Sequence, residues 1–156
     1  MAMDAIQLLK KDHEKVKALL SELADTTERA TKKRQDLLKT IHTELEAHTT
    51  IEEEIFYPAF KKAGAEKDDD KMFFEAKEEH RAVDQLVLPD LVKTDTSSAA
   101  FSGRVKVLKE LVEHHAEEEE KEMFPRARKL LSIDRLKEIG SQMEQRKQEI
   151  LNSVKG

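Results

Sequence analysis

The chain has 156 residues, a net charge of −5 and no cysteine. This length predicts one domain, and the lack of cysteine excludes disulfides, thiolate metal sites and thiol catalysis. Charged residues make up 39% and hydrophobic residues 38% of the chain, a balance typical of long helices with one narrow buried face. Basic residues are dispersed, which disfavours a nucleic-acid partner. No apolar run approaches the roughly 18 residues that a membrane span needs.

The first residues show no hydrophobic signal core, because Lys10, Lys11 and Asp12 interrupt the apolar positions. We therefore expect a cytoplasmic protein.

Four segments place apolar residues at three- and four-residue steps, which is the pattern of one buried helical face. Gly (4) and Pro (3) are rare, so an all-α fold is predicted. In chain order, the predicted faces are Ile6, Leu9, His13, Val16, Leu20 and Leu23; Leu38, Ile41, Leu45, His48, Glu52 and Ile55; Phe73, Ala76, His80, Val83 and Val87; and Val105, Leu108, Val112, His115, Glu119 and Glu122.

Pro58 and Pro125 are expected to end or kink the second and fourth helices. Short helical segments are predicted after them, over residues 59–63 and 126–131. Ser132 should cap a last helix that runs to about residue 154. We divide the chain into a helical bundle over 1–131 and a C-terminal helical extension over 132–156, which would pack on the bundle or form a homodimer. The predicted buried face of the extension is Ile133, Leu136, Gly140, Met143, Lys147, Ile150 and Val154.

A repeat of 67 residues relates the two halves of the chain. Adding 67 to positions 13, 48 and 52 gives 80, 115 and 119, and both sets read His, His, Glu. Residues 48–58 align with 115–125, and each stretch begins with His and ends in an aromatic residue followed by Pro. An internal repeat of this kind predicts a fold with pseudo-twofold symmetry.

The repeated polar residues interrupt apolar faces, where an unpaired polar group costs about 1–3 kcal/mol. In an antiparallel up-down four-helix bundle, residues equally distant from a turn lie at the same height. The midpoints between successive histidines fall beside Ala30, Gly64 and Ser97, where turns are expected. The four histidines should therefore form one layer, with Glu52 and Glu119 one helical turn away.

These residues make a predicted ligand set for two metal ions, with Glu52 and Glu119 as bridging carboxylates. Imidazole and carboxylate together suit iron, manganese or zinc. A single histidine on a buried face is more often a hydrogen-bonded core residue, but four in one layer with two matched carboxylates favour metal. The predicted metal ligands are His13, His48, Glu52, His80, His115 and Glu119.

Nearby residues leave alternatives open. Glu53 and Glu120 recur in both copies and are either acceptors for ligand N–H groups or surface acids. Tyr57 is expected to pack in the core, with hydrogen bonding to a ligand at the metals as the alternative. His42 and His114 break the repeat and are expected at the surface.

The chain resembles a hemerythrin-type HHE cation-binding domain over about residues 4–131. The resemblance is carried by Asp12-His13, Glu79-His80 and two His-x-x-x-Glu-Glu segments that end in Tyr57-Pro58 and Phe124-Pro125. It implies an antiparallel four-helix bundle that holds a non-haem di-iron centre with oxo and carboxylate bridges, with manganese or zinc as alternatives. The six predicted ligands match the ligand positions of the family.

The chain departs from the oxygen carriers of that family at Ala76. Those proteins place a fifth histidine there, one turn before the position of His80. The remaining ligand set is similar to that of bacterial proteins linked to repair of damaged iron centres. Oxygen carriage is disfavoured, whereas reaction with an oxidant or release of iron becomes easier. Glu75 or Glu79 is the alternative ligand in place of the missing histidine.

Three functions are compatible with these residues. The first is a di-iron protein that binds, senses or reduces O₂, peroxide or NO in a stress response, and whether it is an enzyme stays open. The second is storage or delivery of iron for the repair of iron centres. The third is a helical interaction module without metal, which docks through the last helix.

Overall fold

The computed structural model describes residues 3–155. Among these residues no β-strand occurs, so the prediction of an all-α fold is confirmed. None of the described helices is long and apolar enough to cross a membrane. The helices are α1 (Ala5–Ala24), α2 (Thr31–Ile51), α3 (Tyr57–Ala63), α4 (Lys67–Arg81), α5 (Leu88–Val92), α6 (Ala99–Glu118), α7 (Phe124–Leu130) and α8 (Ile133–Lys155).

Helices α2, α4 and α6 each continue through a π-helical turn into a short helix. Pro58, Pro89 and Pro125 lie in the first turn of those short helices. Proline lacks an N–H and clashes with the carbonyl of the fourth residue before it, and a wider turn accommodates both. Pro58 and Pro125, where a helix end or kink was predicted, therefore each follow a π turn. The similar turn before Pro89 was not predicted. The π turns cover Glu52–Phe56, Ala82–Val87 and Glu119–Met123.

The π turns shift the buried face by one residue, which corrects part of the prediction. Glu122 was placed on the buried face of the fourth helix but is exposed, while Met123 beside it is buried. Likewise Ile55 is only partly buried, and its neighbour Phe56 is fully buried. Each π turn inserts one extra residue, so a face extrapolated at α-helical spacing fails beyond it.

The apolar core consists of two clusters separated by polar residues. Along α1, Leu9 belongs to one cluster and Val16 to the other, and His13 lies between them. Along α2, Leu45 and Ile51 flank His48 in the same way. The long helices thus carry a buried polar layer between two apolar regions.

Helix α8 packs against α1, α2 and the first π turn. Leu136, Ile139 and Met143 join the first apolar cluster, and Ser132 accepts the N–H of Arg135, as predicted for a cap. Two residues of the predicted face are instead exposed, Ile133 at 73% and Val154 at 49%, because they lie at the ends of the helix beyond α1 and α2. Dimerisation through α8 and the division of the chain at residue 131 stay predictions.

Gly140 lies where α8 crosses the backbone that precedes α1. A Cβ atom at Gly140 would lie 2.4 Å from the carbonyl oxygen of Met3 and 2.8 Å from the amide nitrogen of Ala5. We expect Gly140→Ala to lower the free energy of unfolding by about 1–3 kcal/mol, because backbone atoms must move. Urea unfolding of the metal-free chain measures this change.

Gly103→Ala is the matched control, since Gly103 is also helical and a Cβ there meets nothing within 4 Å. It should raise the free energy of unfolding by roughly 0.5–1 kcal/mol. A Gly140→Ala variant that is at least as stable as the unaltered chain would contradict the close approach of α8.

Candidate metal centre

The six predicted ligands come together as two buried triads. In each triad one ligand atom per residue lies within 4.8 Å of the others, and no member is more than 9% exposed. The repeat relates the triads, because a shift of 67 positions carries every member of one onto a member of the other. The first triad is His13, His48 and Glu119, and the second triad is His80, His115 and Glu52.

The local helix geometry places the two glutamates. Helices α1, α2, α4 and α6 contribute one histidine each, and Glu52 and Glu119 are the first residues of two π turns. Oε1 of Glu52 lies 2.9 Å from Nε2 of His48 and 3.2 Å from Nε2 of His80. Oε1 of Glu119 lies 3.1 Å and 3.4 Å from the equivalent atoms of the histidines on α1 and α6. Each carboxylate therefore lies between one histidine of each triad.

Several buried atoms of this layer have no hydrogen-bond partner. They include Nε2 of His48 and both carboxylate oxygens of Glu52. Nε2 of His48 and Oε1 of Glu52 are close but lack hydrogen-bond geometry, so they converge on a shared space instead of pointing at each other. Burying a carboxylate without a partner is energetically costly. A cation would accept electron pairs from the carboxylate oxygens and from the imidazole nitrogen. The residues present therefore fit a metal ion.

A second set of carboxylates, which we call the outer carboxylates, contacts the histidines from outside. Hydrogen bonds from Nδ1–H groups fix the rings so that Nε2 faces the interior of the layer, as carboxylates that accept from ligand histidines do in metal sites. Glu120 is therefore an acceptor for a ligand histidine, whereas Glu53 lies beyond hydrogen-bond distance. The contacts to Nδ1 are Glu120 to His13 at 2.8 Å, Asp12 to His48 at 3.0 Å, Glu79 to His115 at 2.7 Å and Glu53 to His80 at 3.9 Å.

Two aromatic rings at equivalent positions of the repeat stack on the layer. Phe124 stacks on His13 with ring centroids 5.8 Å apart, and Tyr57 stacks on His80 at 5.2 Å. The Tyr57 hydroxyl also donates to Oε2 of Glu119 at 2.8 Å and lies 3.3 Å from Nε2 of His115. Tyr57 therefore reaches the predicted metal ligands, which core packing alone would not require.

In the metal-free chain, the surroundings of two histidines of the layer favour the protonated imidazole. Burial alone would lower the pKa of His80, but the carboxylates of Glu52 and Glu53 raise it to about 10. Burial also opposes the charged form of His48, yet Glu52 and Asp12 raise its pKa well above the usual value. Both imidazoles are therefore protonated at neutral pH in the metal-free chain.

The two glutamates differ in their pKa values. Burial opposes the charge of Glu52, but the positive charge of His48 and the neighbouring polar side chains lower the pKa of Glu52 well below its ordinary range. Burial and then the charge of Glu52 raise the pKa of Glu119. Of the two carboxylates, Glu52 is therefore the one whose surroundings favour the charged form.

A cavity and a cleft adjoin the layer. The cavity, of about 40 Å³, is lined by all four histidines of the triads and by apolar side chains that include Val16, Val83 and Val112. One water needs about 10–15 Å³ of this kind of volume, so the cavity has room for a small molecule. The cleft, of about 20 Å³, lies on another side of the layer. Its lining consists of Met72, Glu75, Ala76, Glu79, Glu118, Glu119, Glu122 and Met123.

The missing fifth histidine has no clear substitute. Glu79 holds Nδ1 of His115 from outside, and Glu75 is an exposed residue of the cleft. The other two histidines, His42 and His114, are exposed, as predicted, and His114 belongs only to a less buried group with Glu79 and Glu118.

Sequence reasoning missed Asp12 and Glu79 as outer carboxylates. The signal was present, because each directly precedes a histidine of the repeat and the two lie 67 positions apart. Helical spacing placed Lys147 on the buried face of the last helix, but its partner was missed. Its Nζ lies 2.5 Å from Oδ1 of Asp12, and no pattern in the repeat points to it because α8 lies outside the repeat.

An all-helical chain with two buried triads of histidine and glutamate defines a helical cation-binding protein. The family of the hemerythrin HHE cation binding domain matches residues 4–127, and the chain belongs to that family. The resemblance drawn from the sequence is therefore confirmed.

The comparisons extend to three proteins. A crystal structure of an HHE cation-binding domain-containing protein from Mycobacterium kansasii superposes with a TM-score of 0.84 at 28% identity, covering 97% of this chain and 89% of that one. The fold is thus hemerythrin-like. An uncharacterized protein of Mycobacterium tuberculosis is 29% identical over 97% of this chain and 89% of its own length. A DNA nickase of Nostoc sp. is 27% identical over 99% of this chain, which spans 42% of that protein.

Metal binding should release protons from the layer. Ligand histidines must be neutral, whereas His48 and His80 are protonated at pH 7 in the metal-free chain. We expect binding of Co(II) at pH 7 to release protons, and fewer of them as the pH rises towards the pKa of His80, about 10. Calorimetric titrations in buffers of different ionisation enthalpy measure the number released.

A double variant, His42→Gln with His114→Gln, serves as the control and should release as many protons as the unaltered chain. Binding heats that do not depend on the buffer at pH 7 would show that the histidines were already neutral.

Proposed function

We propose that the chain is a non-haem di-iron protein that binds, senses or reduces a small oxidant such as peroxide, O₂ or NO. The observation that carries this proposal is the fully buried carboxylate of Glu52, which lies between His48 and His80 with neither oxygen hydrogen-bonded. The six residues of the two triads would hold the metals. Their donors are also compatible with manganese or zinc, and iron is proposed because of the chain's resemblance to the di-iron members of its family.

The proposal includes an antiparallel four-helix bundle of α1, α2, α4 and α6 with pseudo-twofold symmetry. Three independent sets of residues support it, since the triads, the outer carboxylates and the stacked rings of Tyr57 and Phe124 all map onto each other by the same shift of 67 positions. Coincidence in one set would not extend to the other two.

When bound, two ferrous ions would supply the two electrons that convert one peroxide and two protons into two waters. Glu52 and Glu119 would hold the cations together with the histidines, since each carboxylate lies near one histidine of each triad. The outer carboxylates hold the imidazole rings in orientation. The cavity beside the four histidines, of about 40 Å³, has room for a small oxidant.

Tyr57 is the residue best placed to provide a proton. Burial and the charges of Glu119 and Glu52 raise the pKa of its hydroxyl well above the ordinary value, so the group stays protonated at neutral pH. Its hydroxyl lies among Glu119, His80 and His115. It can therefore donate a hydrogen bond to an oxidant held at the layer.

Delivery of iron to damaged centres is the second candidate. The acidic cleft beside Ala76 favours it, because the cleft joins the surface to the buried Glu119. A delivery protein would transfer its iron to a metal-free acceptor faster than it loses iron to buffer. The nicking activity in the name of the Nostoc relative is not proposed, since that relative is more than twice as long as this chain.

Iron loading tests the proposed centre directly. Anaerobic addition of Fe(II) followed by air should give two irons per chain and near-ultraviolet absorption from an oxo bridge. His48→Ala and His115→Ala should each lower the iron content, because each removes one ligand of a triad. The measurements are metal analysis and absorption spectra, with thermal melting at several iron concentrations.

His42→Ala is the control, since His42 is exposed and lies in neither triad. A bound ion that stabilises only the folded chain must raise the melting temperature. If the melting temperature does not depend on iron concentration in the unaltered chain or in either triad variant, the chain is an interaction module without metal.

Tyr57→Phe separates the proton donor from the fold. Phe124 shows that a phenyl ring is accommodated at the equivalent position on His13, so stacking on His80 and both irons should be retained. Loss of the hydroxyl should slow the reaction of the loaded protein with peroxide by at least about tenfold, within the range of acid catalysis. Stopped-flow absorption measures the rate.

Phe56→Leu, a change in the neighbouring core side chain, controls for altered packing. An unchanged peroxide rate in Tyr57→Phe, with two irons bound, would remove Tyr57 from the mechanism.

A further inference from the structure

The outer carboxylates break the symmetry of the two triads. The repeat pairs Asp12 with Glu79 and Glu120 with Glu53. Asp12 and Glu120, which contact the first triad, each lie near a lysine amine. In the described part of the chain, Glu79 and Glu53 have no lysine or arginine nitrogen within 4.0 Å. The residues of the two triads are equivalent by the repeat, but the charged side chains around the triads are not.

Lys147 is the stronger of the two lysine contacts. Its Nζ lies 2.5 Å from Oδ1 of Asp12, whose other oxygen lies 3.0 Å from Nδ1 of His48. The side chain of Lys147 is 15% exposed and that of Asp12 is 5% exposed, so little water screens the pair. Lys17 contacts Glu120 at 4.0 Å and is 39% exposed, which makes it the weaker partner.

Docking of α8 does not by itself require this contact. Apolar residues of α8 already pack in the first core cluster, and Arg146 provides an exposed ion pair with Glu54 at the same interface. Lys147 instead reaches inward to the one carboxylate that orients His48. A buried cation at this place acts on the first triad through Asp12.

The physical effect of Lys147 has a definite sign. Its charge repels a cation in the first triad and neutralises Asp12, which would otherwise draw the Nδ1 proton of His48 and make Nε2 a stronger donor. The equivalent carboxylate, Glu79, accepts a hydrogen bond from His115 at 2.7 Å, and its other neighbour is the exposed imidazole of His114 at 3.8 Å, not a buried lysine. A cation is thus held more weakly in the first triad than in the second.

We propose that Lys147 is a positioning residue that makes the two cation sites unequal, so that the second triad fills first and the first triad is the exchangeable site. This inference rests on the proposed function, because it requires a cation at each triad. The order of filling follows from α8, a helix for which the repeat supplies no counterpart.

Titration of the metal-free full chain with Co(II), followed by calorimetry and visible absorption, tests the inference. We expect two classes of site in the unaltered chain. Lys147→Met should tighten the weaker class on the order of tenfold, the effect of losing one nearby charge, and leave the tighter class unchanged. Lys147→Arg should keep the unaltered pattern, because it retains the charge.

Variants matched by the repeat assign the classes. His48→Ala should abolish the weaker class, and His115→Ala should abolish the tighter one. Arg146→Met removes an exposed ion pair of the same helix and should change neither affinity. Melting of each metal-free variant separates loss of folding from loss of binding.

The outcomes distinguish this inference from the proposed function. Failure of the folded chain to bind any Co(II) or Fe(II) would refute the di-metal centre itself. Two cations bound with equal affinity, or a weaker class that loosens in Lys147→Met, would overturn the role of Lys147 and leave the metal centre standing.

Discussion

Burial of two carboxylates among four imidazoles is the constraint on which the rest of this structure depends. Glu52 is fully buried and Glu119 is 2% exposed, in a layer that divides the apolar core into two clusters. Such a layer is stable only if every charge finds an opposite charge. Protonated histidines meet this need without metal, and a pair of cations would meet it when bound.

The π turns connect this electrostatic requirement with the backbone. Glu52 and Glu119 begin two of these turns, and a proline follows each turn closely. The proline disfavours a regular α-helix over the preceding turn. The same local distortion therefore redirects the helix beyond the layer and brings an aromatic ring, Tyr57 or Phe124, over a histidine. One short sequence pattern thus positions a carboxylate and the ring that covers its neighbour.

Much of this arrangement could be predicted from the sequence because it repeats. The spacing of His13 and His48 with Glu52, found again 67 residues later, predicted the four histidines in one layer with the two glutamates one helical turn away. Regular spacing could not reveal the π turns, which insert a residue and exchange Ile55 for Phe56 and Glu122 for Met123 on the buried face. The π turn before Pro89 was not predicted for the same reason.

Contacts between distant segments set the other limit of prediction. Lys147 reaches Asp12 across 135 positions of sequence, and no periodicity connects α8 to α1. The hydrogen-bonding role of Tyr57 was recognised only as an alternative to core packing. The repeat gives no support for this role, since the equivalent residue, Phe124, has no hydroxyl. Departures from the repeat therefore carried information that the repeat itself could not.

The position of α8 also gives the polar layer two different surroundings. On the side of α1, Leu8 lies beneath α8, and Leu9 and Ile51 are fully buried. The equivalent positions on the other half are Glu75, Ala76 and Glu118, which line the acidic cleft. Water and its high dielectric constant therefore come closer to the layer at the cleft than beneath α8. The two similar halves of the chain therefore differ in hydration beside the layer. Equivalent pairs of charges interact more strongly on the less hydrated side.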